Sequence, residues 1–129
     1  MNGKRMTLIL YTLTLLLLTG CLKEAPVRKM AHDGMTANAV VLEIGPGKNE
    51  ITVKDADSDG IFGSGCTIDC TEASFVYCDY ESGEVRSITL ENLSANDDVI
   101  IEISVSEMQN VLKGRAKARW IQLSTQRLK

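Results

Sequence analysis

The chain has 129 residues, a formal net charge of −3 and 5% aromatic residues. That length holds a single domain of ordinary size, not a multidomain assembly. The acidic balance weighs against general nucleic-acid binding, which calls for a basic footprint.

Lys4 and Arg5 precede an almost wholly apolar run from Met6 to Leu18. The run is shorter than the roughly 20 apolar residues a spanning helix needs. With its small-residue exit it has the form of an export signal over residues 1–20. The exit, Leu18-Thr19-Gly20-Cys21, matches the lipobox of bacterial lipoproteins: an aliphatic residue, two small ones, then cysteine. The Cys21 thiol takes a diacylglycerol, and the small residues let a peptidase reach the bond before it. Two or more acyl chains on one residue, palmitate among them, suffice for stable attachment. The plainer alternative is an ordinary cleaved signal with an incidental Cys21. The expected product is a lipid-anchored chain 21–129 on the extracytoplasmic face of the cell membrane. Losing Lys4 and Arg5 takes its formal charge to −5.

Residues 22–37 are polar, carry Pro26 and Gly34, and show no sustained period, so 21–38 reads as the lipidated cysteine and a flexible tether. The chain's only histidine, His32, lies there and is assigned no role. From Ala39 the period becomes two. Val40–Ile44 and Ile51–Lys54 flank a Gly/Pro turn as a hairpin. A Gly-rich loop over 55–65 leads to short strands at Thr67–Cys70 and Phe75–Cys78, then through Glu81-Ser82-Gly83-Glu84 to Val85–Ile88. Leu90 to Leu93 fits one helical turn, Val99–Val105 is the longest apolar strand, and Ser106–Leu112 is either a short helix capped by Ser106 or a loop. Arg115–Leu123 closes the series, with Ala116, Ala118 and Trp120 on one face and Arg115, Lys117 and Arg119 on the other. The expected fold is all-β: a small OB-like closed or partly open β-barrel of about five to seven short strands, with at most one or two helical turns. Residues 39–126 form that domain and 127–129 a tail. Closure is favoured because so short a sheet must hide its edges.

Over residues 39–126 the chain resembles the small OB-like β-barrel lipoproteins of uncharacterised bacterial families, especially those of Firmicutes. The likeness lies in the opening strand pair, the Leu90-x-x-Leu93 turn into the long strand, and the closing stretch Ala116–Leu123. Where such families usually have Gly-Asp after the turn, this chain has Asn96-Asp97; Asn also tolerates the left-handed conformation. The resemblance implies fold and anchoring, and little about function.

Asp55-Ala56-Asp57-Ser58-Asp59-Gly60 has the form of the front half of a calcium loop, with Asp55, Asp57, Asp59 and the Ile61 carbonyl as candidate ligands. Cys66 stands where the loop's closing Glu belongs, and a strand precedes the loop instead of a helix. The competing reading is a solvated acidic turn. With Cys21 lipidated, Cys66, Cys70 and Cys78 remain in a disulfide-permissive compartment. A Cys66–Cys78 bond across a tight hairpin is preferred narrowly over Cys70–Cys78. Cys66 and Cys70 lie about 13 Å apart on one extended strand, too far to bond. Their C-x3-C-x7-C spacing matches no zinc knuckle.

Arg115, Lys117 and Arg119 admit three readings: cross-strand pairing with acidic neighbours, contact with anionic lipid, or single-strand binding on an OB face. Residues 43–107 hold 15 acidic and 3 basic residues, which favours the first and leaves nucleic acid last. Trp120 is expected in the core. With no second histidine, nucleophile elbow or phosphate loop, the chain is expected to be non-enzymatic. It reads as a binding or accessory module for an unidentified envelope protein or small ligand, with a calcium-dependent structural or adhesion role as the alternative.

Overall fold

The computed structural model describes residues 33–45 and 48–128. The export signal, Cys21 and the tether as far as His32 lie outside the described residues. Seven strands follow in order: β1 (Gly34–Gly45), β2 (Glu50–Asp55), β3 (Cys66–Asp69), β4 (Ser74–Cys78), β5 (Val85–Ile88), β6 (Asp98–Ser104) and β7 (Arg115–Leu123). Leu90–Asn92 and Val105–Glu107 are 3-10 turns, and Met108–Leu112 is a single helical turn, α1. Its N-cap is Glu107, not Ser106.

The ring closes through five strands. β1 pairs antiparallel with β2 and β6, β2 with β3, and β6 with β7, while β3 runs parallel to β7. This is the OB-like barrel that the period-two pattern predicts. Alternate residues turn inward because successive side chains on a strand point to opposite faces. Val41, Ile51, Val53, Ile68, Val99, Ile101, Ile103 and Leu123 are buried by that rule. Each large apolar side chain so buried contributes about 1.5–3 kcal/mol before entropy is subtracted. On β7 the inward positions beside β3 are the small Ala116 and Ala118, the small–large alternation that a narrow barrel needs.

Four expectations need correction. The first strand begins at Gly34, within the stretch read as tether: Met35, Ala37 and Ala39 turn inward while Thr36 and Asn38 between them lie exposed. Second, β3 and β4 are not a hairpin. Both run parallel to β7, Thr67 opposite Arg115 and Tyr77 opposite Leu123, so the chain continues forward through residues 70–73. Third, a bulge between the Glu102–Trp120 and Ile103–Ala118 pairs inserts Arg119 as an extra residue. Trp120 therefore turns outward and is only half-buried. Fourth, the tail is bound. Gln126 donates to the Cys78 carbonyl at 2.8 Å and accepts from the Tyr80 N–H at 2.9 Å. Arg127 grips both carboxylate oxygens of the buried Asp97. The Asn96 that replaces glycine before Asp97 does take a left-handed φ of 73°.

Candidate functional site

β1 links two unlike ends of the barrel. At its start lie the 56–65 loop, the end of β6 and α1; at its finish lie the β1–β2 turn, the β3–β4 link and the β4–β5 hairpin. The finishing end carries an open groove of about 880 Å³. Ile44 and Gly45 border it from β1, Phe75 from β4, Ser87 and Ile88 from β5, and Leu90 from the 3-10 turn. The groove exists because β3 stops at Asp69 and β4 takes over the flank of β7. Ile44, Phe75, Ile88 and Leu90 lie partly exposed against the core, forming an apolar floor. Thr71 and Glu91 add a polar rim. Sequence reading did not find this site, since its apolar residues sit on four elements and look like ordinary core positions.

The three cysteines are free thiols. The predicted Cys66–Cys78 bond fails because the two lie at opposite ends of a continuous forward path, about 25 Å along β7. Cys70–Cys78 fails for the same reason, as no reversal brings β3 back against β4. Cys66 points into the barrel and burial raises its pKa. Cys70, beside the groove, is pushed up to about 12 by burial, so it is a neutral thiol and a poor nucleophile at physiological pH. Cys78 is half-buried at the end of β4.

The acidic loop is built around its own backbone. Asp55 accepts the Phe62 and Gly63 N–H groups, one on each carboxylate oxygen, both at 2.7 Å. A side chain at Gly60 would fall 2.1 Å from that carboxylate, which is why glycine stands there. The latch seats Phe62 in the core, where it is 4% exposed. Ile61 packs partly buried beside it. Asp57 accepts from the Asn38 side chain at 3.3 Å, and Asp59 is exposed. Among the described residues, no three His, Cys, Asp or Glu side chains gather to hold a metal. Both Asp55 carboxylate oxygens are thus taken by the turn's own N–H groups, so the Asp-x-Asp-x-Asp-Gly pattern serves as a backbone-capping turn.

The basic face of β7 is partnered along its length. Arg115 pairs with Glu50 at 3.0 Å, Lys117 with Glu72 at 3.1 Å and Arg119 with Asp33 at 3.1 Å. Glu72 raises the Lys117 pKa, while the Ser104 hydroxyl and then Arg119 lower that of Asp33. Exposed pairs of this kind add little stability; their effect is to neutralise the cations that a phosphate backbone would seek. OB folds bind oligonucleotides on the face of their second and third strands, with aromatic platforms. Here that outer face presents Glu50, Thr52, Lys54, Thr67 and Asp69, with no aromatic residue.

No protein family, curated protein or solved structure matches this chain.

Proposed function

We propose that this chain is a membrane-anchored, extracytoplasmic lipoprotein whose OB-like barrel is a non-enzymatic binding or accessory module of the cell envelope. The observation that supports the reading best is the course of β1. It begins at Gly34, just after the tether from Cys21, and ends at Ile44-Gly45 on the groove. Roughly 30 Å of strand separates the two, so the groove lies at the opposite end of β1 from the point where the described chain begins. The lipobox and the resemblance to small OB-like lipoproteins bear on the same reading, and a closed five-strand barrel is compatible with it. A calcium-dependent role draws no support from a loop whose first carboxylate is spent on backbone N–H groups.

Labelled palmitate fed to cells expressing the full chain tests the anchor. The wild type is expected to carry label and sediment with membranes, and Cys21→Ala to lose both. A wild-type chain that is unlabelled and soluble overturns the reading.

A further inference from the structure

We propose that the groove takes an extended, basic and apolar peptide segment of a partner protein, added as a strand along the open edge of β5. The inference deepens the binding-module reading and rests on it, but not on the lipid at Cys21.

β5 has β4 on one side, and among the described residues no strand lies on the other. The last residues of β1, Leu42 to Gly45, are likewise paired on one side only: the β6 ladder stops at Val40 opposite Asp98, while β2 continues to Gly45. The groove lies between these two edges, bordered by Ser87 and Ile88 from one and Ile44 and Gly45 from the other. A sheet edge is a template for another strand, and proteins that keep no such partner usually cover it. In strand addition the main chain supplies affinity, and pockets for alternate side chains supply specificity. Phe75 and Ile88 are opposite each other across the β4–β5 ladder, so they share a face. With Ile44 and Leu90 they form the apolar floor on which every second side chain of an added strand would rest.

Charge selects the occupant. Residues 69–91 carry six acidic residues and one basic residue, and Glu91 stands on the groove itself. Like charges directly opposed across strands are destabilising. An acidic segment is therefore disfavoured, and so is a second copy of this chain, which would bring an identical acidic hairpin to the same edge. A segment alternating apolar and basic residues satisfies both the floor and the rim.

The test uses the full chain as cells process it, in nanodiscs of zwitterionic lipid where it carries the lipid and in solution where it does not, probed with a fluorescent peptide of alternating lysine and valine; discs or buffer alone give the background. Binding is expected, with slowed amide exchange in Val85–Ile88. A glutamate–valine peptide, and a lysine–valine peptide N-methylated at alternate amides, should each bind about tenfold more weakly or worse. Glu91→Lys, an exposed change, should weaken the lysine–valine peptide without lowering the melting temperature. Absence of binding, equal affinity for the N-methylated peptide, or unchanged β5 exchange overturns the proposal. So does a dimer whose β5 amides are protected without peptide. Saturable binding that protects amides elsewhere defeats this site and leaves the module reading standing, while loss of the palmitate label touches only the anchor.

Discussion

Where β1 begins, five strands meet in a ring, Phe62 fills its mouth, and Asp55 and Gly60 hold the loop that delivers Phe62. Where β1 ends, β3 has given way to the β4–β5 hairpin, the ring does not close, and apolar side chains stay partly exposed. The first end seats its loop by local bonds to Asp55, and Asp33 joins Ser104 and Arg119 beside it. The second depends on residues distant in sequence, since Gln126 ties the tail to the hairpin and Arg127 ties it to Asp97. The contrast separates a closed end from an open one held by a clasp. Binding elements tend to be drawn from the less securely closed parts of a fold.

The largest effect expected tests the closed end. Phe62→Ala removes a buried aromatic ring and should cost about 3–5 kcal/mol in denaturant unfolding. A loss below about 1 kcal/mol would show that the loop does not close the barrel. The clasp comes next. Asp97 is buried and receives both prongs of Arg127 and the Ser94 N–H at 2.7 Å. Arg127→Ala leaves that carboxylate buried without its charge partner. Because the arginine is partly exposed, the loss should be about 2 kcal/mol, less than for a fully buried pair. Amide exchange should rise first around residues 92–97 and 79–80, at the open end. A uniform rise over the whole barrel would remove the distinction between the two ends. Gly60→Ala should cost about 1–2 kcal/mol by pushing Asp55 off its two N–H donors. Millimolar calcium should leave the wild-type melting temperature unchanged; a rise that Asp57→Ala abolishes would restore the cation reading.

The closed end was largely legible in the sequence. Alternating Ile51-Thr52-Val53-Lys54 and the long Val99–Val105 run mark their strands because burial on one face imposes a period of two. The pairing of Arg115 with Glu50 and of Lys117 with Glu72 followed from the acidic surplus of residues 43–107, whereas Asp33, the partner of Arg119, lies outside it. The calcium-like pattern is ambiguous in sequence because one Asp and one Gly at this spacing serve a backbone-capping turn as well as a cation loop. The open end was hidden. Residues 71–73 look like a hairpin turn, and nothing local shows that the chain runs on beside β7 instead. The Arg119 bulge that turns Trp120 outward is a property of the β6–β7 register, which no single strand displays. Arg127 looks like a trailing residue until the fold brings Asp97 to it.

Acid sharpens the comparison with the smallest effect. Three carboxyls are held below their usual range: Asp69 by the Thr71 hydroxyl and N–H, Asp79 by the Glu81 and Ser82 N–H groups, and Asp33 by the Ser104 hydroxyl and Arg119. A carboxyl whose folded pKa lies below its unfolded value binds more protons when unfolded, so its contribution to stability rises with pH. That contribution is complete above the unfolded carboxylate range, near pH 4. It is lost as pH falls through the lower, folded value. Asp69 and Asp79 belong to the open end and Asp33 to the closed one. Asp69→Asn with Asp79→Asn should therefore flatten the acid limb of the melting curve more than Asp33→Asn. Because Asp33 is exposed and Asp69 and Asp79 are only half-buried, salt should shrink the difference. Acid limbs equally steep in all variants and the wild type would show that these hydrogen bonds do not hold either end.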